Sequence, residues 1–368
     1  MCERPTRSGG RRTGGGGTIV GVSVPPVPPA PGLPGRLVLA AHHAVHVRSA
    51  DARQIGLDPA SGIVLEDLSP AIAAMVDELG PAAVGSADLL RRAQTRGADP
   101  SDAASVLSGL LAGGLVCDAD RAERVARRRA GSVVVVRGDG PLALGTAAGL
   151  ARAGVGAVHV RTAGRIGQAD LAVAALGADD LGRDRSRTAA ALLRRIAPDV
   201  RTAAPGRNPP DLVVLADAQA RHPDEGVTLV GRAVEHLAVT VRDGRGIVGP
   251  LVLPGRSTCL RCLDLVRTGL DPGWPTMVAG LLGRTGTADP AVLGATAALG
   301  VVQALLALDG PVTGDPPPPT LGATVELDPA RATVTTRHWA PHPGCPCGAA
   351  RPGDTPCRAT AGRGTIPG

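Results

Sequence analysis

Two pairs of cysteines stand out by their spacing. Cys259-Leu260-Arg261-Cys262 follows Pro254-Gly255, and far downstream Cys345-Pro346-Cys347 follows Pro343-Gly344. Two close pairs, each in a Gly/Pro turn, are what a tetrahedral four-thiolate zinc site needs: each knuckle gives two sulfurs, and the two knuckles close the site. Four protein ligands leave no open coordination position, so the zinc expected here is structural rather than catalytic. Cys357 is the spare ligand if the short Cys345–Cys347 spacing fails, and His338 or His342 are possible substitutes. Cys2 and Cys117 read as bystanders, Cys117 as a small apolar strand residue. Seven cysteines in 368 residues are not a disulfide framework.

A second constellation is a glycine loop with Gly138, Gly140 and Gly145. It follows Val133–Val136, a run of β-branched residues with no polar alternation, as expected of a parallel strand buried on both faces. A helix-forming stretch follows, Thr146 to Ala153, in which Leu150 can face a sheet; Gly154 and Gly156 break it, and Ala157–Val160 reads as the next strand. Strand, glycine loop, helix and strand in this order form the opening βαβ unit of a nucleotide-binding, Rossmann-like domain. Asp211–Ala216 is a further buried strand that delivers Asp217 at its carboxyl end, the edge where open α/β sheets bind ligands.

The elements that position these residues follow in order. Asp179 to Arg185 leads into a helix over Thr188–Ile196, and Thr228–Glu235 reads as another; Leu237–Arg242 is a strand and Gly246–Leu253 a strand pair. A helical region spans Ala291–Leu308, and Leu321–Leu327 with Ala332–Arg337 make a closing hairpin. No transmembrane run or signal peptide is evident, and a cytoplasmic location is expected.

The formal charge is +6, yet residues 1–35 carry four Arg and one Glu and residues 348–368 three Arg and one Asp, so the tails hold five of the six charges. A near-neutral body argues against a nucleic-acid groove. Both tails, 1–35 and 348–368, read as disordered. The chain has two Trp, no Phe and no Tyr, so Ala, Val, Leu and Gly must fill its core.

Residues 36–118 read as a first domain. Short strands are expected at His43–Ser49, Ala52–Leu57 and Ile63–Leu65, with a turn over Asp58–Gly62. Ser69-Pro70 opens a helix, as N-cap and first helical residue. Two more helices cover Ser86–Thr95 and Asp102–Ala112, and Leu115–Cys117 closes the unit. This is the element pattern of a winged helix-turn-helix. Its third helix begins Pro100-Ser-Asp102-Ala-Ala-Ser105, with an acid and no Arg, which argues against DNA. Peptide capture is the alternative: an extended peptide adds as a strand beside Ile63, Val64 and Leu65, against the helix carrying Val106 and Leu110. Residues 119–131 read as a charged linker, and 132–347 as the Rossmann-like domain.

Residues 43–117 resemble the winged-helix leader-peptide recognition domains of ribosomally made, modified-peptide pathways. The later part, with its glycine loop, Asp217, and Gly249 to Cys262 answered by a second cysteine pair, resembles the ThiF/MoeB-like adenylyltransferases of the ubiquitin-activating type. Together, residues 36–347 resemble leader-peptide-binding or cyclodehydratase-like proteins of the thiazole/oxazole-modified peptide group. The resemblance implies ATP-magnesium, with Asp217 as magnesium ligand and Arg185, near Arg183, in place of a phosphate-binding Lys. It also implies a homodimer, a precursor peptide as partner and a YcaO-type modifying enzyme.

Three departures count against adenylation. The loop carries Asp139, a negative charge, and Pro141, which lacks an N–H. The acid expected after the second strand to hold a ribose is replaced by Val160-Arg161-Thr162. The Arg-Gln pair of active relatives has no counterpart in Gly167-Gln168-Ala169-Asp170. Charge-assisted hydrogen bonds are worth about 1.5–3 kcal/mol each, so these losses weaken nucleotide binding substantially. The expected function is therefore a ThiF-like scaffold that presents a precursor peptide to a separate enzyme. The alternative is an active adenylyltransferase acting on the C-terminus of a small sulfur-carrier-like protein or peptide. A redox enzyme is a weaker third reading, with Arg161 facing a 2′-phosphate.

Overall fold

The computed structural model describes residues 32–41, 43–57 and 62–350; the expected tail segments 1–31 and 351–368, with Cys2 and Cys357, and most of the Asp58–Gly62 turn lie outside the described residues. The chain divides into two compact units between Asp120 and Arg121.

The first unit runs β1 (Arg36–Leu39), β2 (Val45–Val47), β3 (Arg53–Ile55), β4 (Ile63–Leu65), α1 (Pro70–Asp77), β5 (Val84–Gly85), α2 (Ser86–Thr95), α3 (Pro100–Ala112) and β6 (Val116–Asp118). β2, β3 and β4 form one antiparallel sheet and β5, β1 and β6 a second. Ser69 caps α1 as expected, its Oγ accepting the Ile72 N–H at 3.3 Å. α3 starts two residues before the expected Asp102 because the Asp99 carboxylate accepts the Ser101 N–H at 2.8 Å. β1 and β5 were not expected from sequence. Each is too short for its alternation to stand out, yet Leu37 of β1 is fully buried with Ile55, Val76, Leu89 and Leu107. Arg53 is buried and grips Asp77 through Nε and Nη2, at 2.6 and 2.8 Å.

Residues 119–131, expected as a linker, are instead a helix, α4 (Ala119–Gly131). None of its residues is buried, so it lacks the apolar stripe that marks a helix in sequence. Acids distant in the chain hold it: Arg128 meets Asp211 at 3.0 Å, and Arg129 meets Asp309 through both Nε and Nη2.

The second unit is built on one mixed sheet. Its elements are β7 (Val133–Arg137), α5 (Pro141–Arg152), β8 (Ala157–Arg161), α6 (Gln168–Val173), α7 (Arg185–Ile196), β9 (Leu212–Ala216), α8 (Pro223–Gly231), β10 (His236–Arg242), β11 (Arg245–Val252), α9 (Leu260–Leu270), α10 (Trp274–Ala279), α11 (Pro290–Thr313), β12 (Ala323–Asp328) and β13 (Thr333–His338). The strand order is β13-β12-β11-β10-β9-β7-β8. β8, β7, β9 and β10 are parallel, and β11 to β13 add antiparallel strands. The order reverses at β7, the switch point at which such sheets open a crevice. The expected strand pair at Gly246–Leu253 is a single strand, hairpinned onto β10 through a turn with Asp243 and Gly244 at positive φ. The helix expected at Thr228–Glu235 is α8, which starts earlier because His222 caps it and Pro223 occupies its first turn.

α5 and α11 lie against each other and form the core of this unit. Leu142 and Leu150 of α5 are fully buried, each side chain contributing about 1.5–3 kcal/mol. A Cβ on Gly149 would stand 2.5 Å from Val301, so glycine is what lets these two helices approach. α11 has 24 residues, an 18-residue stretch of which has a mean hydropathy of 2.1, and by length and composition it is the one described helix that could cross a membrane. In this fold its Leu293, Ala297, Ala304 and Leu308 are buried in the core.

Candidate functional site

The four expected cysteines come together. β11 ends in a turn at Pro254-Gly255, where Gly255 has φ +70°, and Ser257 ties this turn by accepting the Leu253 N–H on its Oγ at 2.8 Å. Cys259 then caps α9, and Cys262 sits in that helix's first turn. The second knuckle is held by the Cys345 N–H, which donates to the His342 carbonyl at 2.9 Å. Cys259 Sγ lies 3.8 Å from Cys262 Sγ and 3.6 Å from Cys345 Sγ, and Cys262 Sγ is 3.6 Å from Cys347 Sγ. All four sulfurs lie within 4.8 Å of one another. A tetrahedron with Zn–S bonds near 2.3 Å has sulfur separations of about 3.8 Å, so the donor set and its spacing fit a metal ion such as zinc. The Cys259 S–H donates to Cys262, which pushes the Cys262 thiol down and the Cys259 thiol up. Neither His338 nor His342 joins the group; the His342 Nδ1 accepts the Gly344 N–H instead. Cys117 stands apart, half-buried on β6.

The glycine loop has a different geometry from the one its spacing suggests. Asp217 follows β9 at φ +67°, and this turn carries its carboxylate under the loop. Its Oδ2 accepts the N–H of Gly140 at 2.9 Å and of Ala143 at 3.2 Å, and its Oδ1 accepts the Leu142 N–H at 2.8 Å. The side chain is buried. A Cβ on Gly138 or Gly140 would fall 2.5 or 2.6 Å from its oxygens, so both glycines are required by Asp217 itself. Burial pushes the Asp217 pKa up to about 6, against the three N–H donors, which lower it. Gly145 does not belong to the loop: a Cβ there would lie 2.4 Å from Val173 and 3.0 Å from Ala297. The absence of a side chain at 145 lets α5 pack against Val173 of α6 and Ala297 of α11.

Arg185 opens α7 and is buried. Its Nη1 donates to Asp170 Oδ1 at 2.8 Å, and its Nη2 to the Arg165 carbonyl at 2.8 Å. Asp170 is itself buried and accepts the Gly167 N–H. The charge of Arg185 is therefore answered inside the protein. Arg183 is largely exposed, 3.6 Å from Asp180, and lines a hollow with Asp184 and Arg187 rather than the crevice at the sheet edge.

That crevice, about 650 Å³, opens at the carboxyl ends of β7, β8 and β9. Arg137, Arg161, Arg221 and Arg284 line it with Asp139, Asp224 and Glu225. Asp139 accepts the Ala163 N–H at 2.6 Å and the Thr162 hydroxyl at 3.2 Å. Glu225 stands 3.3 Å from Arg137. The lining thus mixes four arginines with three acids, together with His222 and the hydroxyls of Thr162, Thr228 and Thr285. Arg137, Arg221 and Arg284 were missed in the sequence; Arg137, at the carboxyl end of a buried strand as Asp217 follows one, could have been found by the same rule.

In the first unit β4 pairs with β3 alone, so its outer edge is free among the described residues. Val64 is 36% exposed, and Ile63 and Leu65 are half-buried. Ile63 lies beside the C-terminal end of α3: a Cβ on Gly113 would be 3.7 Å from its Cδ1. Val106 is half-buried against the core, whereas Leu110 is 2% exposed and belongs to that core. Leu110 is thus a packing residue and offers no surface to a peptide.

The fold and these sites define a mixed α/β protein with a Rossmann-like sheet and a four-cysteine cluster. Solved structures share this fold. Against the microcin C7 biosynthetic enzyme MccB in complex with N-formylated MccA, the TM-score is 0.66 at 14% identity, over 85% of this chain and 99% of that one. Against E. coli MccB with ATP it is 0.66 at 13% identity, over 85% and 99%. Against PaaA it is 0.53 at 15% identity, over 81% and 98%. Identities this low establish the fold alone. No family model matches the chain, and no curated protein does.

Proposed function

We propose that the chain is a leader-peptide-binding scaffold of a ribosomally made, thiazole/oxazole-modified peptide pathway, and that it does not adenylate. In this reading residues 36–118 act as a winged-helix module that takes the leader as an added strand on β4. Residues 132–347 then present the precursor to a separate enzyme of the YcaO type. A structural zinc on Cys259, Cys262, Cys345 and Cys347, a homodimer and a cytoplasmic location complete the proposal. The observation that carries it is Asp217. The N–H groups at the start of α5, which would cradle a phosphate, already donate to its carboxylate. Arg185 is committed to Asp170 in the same way, and Arg161 stands where a ribose would need an acid. The free edge of β4 supports strand addition. MccB, of the same fold, is a microcin C7 biosynthetic enzyme solved with MccA.

The second reading, an active ATP-dependent adenylyltransferase, is favoured by the arginine-lined crevice and by the solved complex of MccB with ATP. Calorimetry of ATP-magnesium on the zinc-loaded full chain separates the two. The scaffold reading expects no binding up to about 1 mM, the range of a –4 kcal/mol interaction. Saturable binding that Arg221→Gln and Arg284→Gln both weaken puts the nucleotide in the crevice, and the adenylating reading then replaces the scaffold.

A further inference from the structure

A second cavity, about 80 Å³, lies between strands β10 to β12 and helices α9 and α10. Three arginines line it: Arg221 from the loop after β9, Arg242 from the end of β10 and Arg267 from α9. The one acid in its lining is Asp264. That carboxylate accepts the Trp274 indole N–H at 3.3 Å and lies 3.9 Å from the Arg267 guanidinium, the outer limit of an ion pair. Arg267 is stacked between two rings, 4.9 Å from the Trp274 centroid and 5.0 Å from that of Trp339; Arg242 lies 5.7 Å over Trp274. Stacking covers the faces of the guanidinium groups and leaves their in-plane donors for other partners. Arg221 and Arg242 each reach a backbone carbonyl, of Leu215 and Gln219, but the Arg242 Nε is buried with no partner.

Within the lining, three cations thus face one carboxylate, Asp264, whose side chain is 49% exposed; Glu225 and Asp217 also attract Arg221, and Glu326 attracts Arg267. Charges withdrawn from water gain from pairing, and among the residues that line this cavity the cations outnumber the acid by two. Burial first, and the charge of Arg242 as well, lowers the pKa of both Arg221 and Arg267 to about 10. The unused donors are in-plane forks, which match a planar carboxylate in bidentate fashion. Ile247, Leu263 and Val278 supply apolar wall for the carbon next to such a group.

We propose that Arg221, Arg242 and Arg267 form a carboxylate-binding pocket walled by Trp274. The carboxylate is either the C-terminus of a peptide or the side chain of an acidic residue. Ala218 and Arg221 line both this cavity and the crevice at the sheet edge, so the pocket adjoins it. The inference goes beyond strand addition at β4: capture there can fail while small carboxylates bind here, and the reverse.

Both tryptophans of the chain flank Arg267 and there is no Tyr, so intrinsic fluorescence reads this cavity directly. The zinc-loaded full chain is titrated at constant ionic strength with N-acetylglycine, with N-acetylaspartate α-methylamide and with neutral N-acetylglycinamide. The expected result is a saturable change with at least one carboxylate and none with the amide; the tighter of the two acids identifies the source. Arg242→Gln weakens binding about tenfold or more, the loss of one charge-assisted contact, and Arg284→Gln, at the crevice, leaves it unchanged. The proposal is overturned if neither acid gives a saturable response. It is equally overturned if Arg284→Gln abolishes the response that Arg242→Gln retains. Should Arg242→Gln fail to fold, the comparison of acid with amide and the Arg284→Gln variant still decide.

Discussion

The four cysteine sulfurs and the three N–H groups at the start of α5 are both convergent sets of metal- or anion-binding groups, and both were read from sequence as ligand sites. They differ in what the chain itself supplies. The sulfurs of Cys259, Cys262, Cys345 and Cys347 have one another as side-chain partners, at the spacing of a tetrahedral metal site. The N–H groups of Gly140, Leu142 and Ala143 have a carboxylate delivered from β9. The lesson is that convergence alone does not make a ligand site. The decisive question is whether the protein has already provided the counter-group. In the same unit the Arg185–Asp170 pair falls on the closed side of that distinction, and the Arg221–Arg242–Arg267 cluster on the open side.

The largest effect expected from this contrast is at the cysteines. Metal analysis of the full chain should give about one zinc per chain. Cys262→Ser, or a strong chelator, should remove it and lower the melting temperature by upwards of about 10 °C, since structural zinc sites supply much of the folding free energy of the segments they join. A folded, metal-free preparation with an unchanged melting curve would place the cysteines with Asp217, as groups the chain satisfies by itself.

At the closed site the expected effects are on stability rather than on ligand binding. Asp217→Ala strands three buried N–H groups and should cost about 4 kcal/mol in urea unfolding. Asp217→Asn keeps one acceptor oxygen and should cost less. The pH dependence follows from the raised pKa. Between about 4, where an unfolded Asp titrates, and about 6, the folded chain holds a proton that the unfolded chain has released. Stability contributed at this site is therefore greatest below pH 4 and falls as pH rises through 6, by up to about 3 kcal/mol. The difference in stability between wild type and Asp217→Asn should shrink over that window and stay flat above it. Arg185→Gln leaves the buried Asp170 carboxylate without its cation and should cost about 3 kcal/mol, a little less than Asp217→Ala because Gly167 still donates to Asp170.

The same contrast explains what was legible in the sequence. The cysteine site could be read because ligand type and spacing are both local to each knuckle. β7, the loop and β8 could be read because Val133–Val136 has no polar interruption. The role of Asp217 could not. Its place at a strand end was visible, but the positive φ that turns it under the loop and the three donors from residues 140–143 are tertiary facts. Gly145 shows a limit of spacing: glycine looks the same in sequence whether a phosphate or a neighbouring helix demands it, and only the structure shows Val173 and Ala297 leaving no room for a Cβ there. α4 was hidden because its anchors, Asp211 and Asp309, are far away in sequence. The arginine pocket gathers Arg221, Arg242, Arg267 and Trp274 from four separate elements, and no window of sequence contains it.

The smallest stability effect and the sharpest functional one are expected at Val64. Its side chain lies on an edge strand and is 36% exposed, so Val64→Asp should change folding stability by no more than about 0.5 kcal/mol. Strand addition, by contrast, sets side chains of the incoming peptide against those of β4, so a charge there should weaken a leader that the wild-type chain captures by about tenfold. Val64→Thr, which keeps the branched shape, should restore most of the affinity. Hydrogen exchange adds a backbone readout: the free N–H groups of Ile63–Leu65 should slow on leader binding, while α5, closed by Asp217, stays as it was. Unchanged affinity in a folded Val64→Asp chain, with no slowing at β4, would show that this edge is not where the leader is taken. The peptide contact would then have to be sought in the second unit, beginning with the arginine pocket.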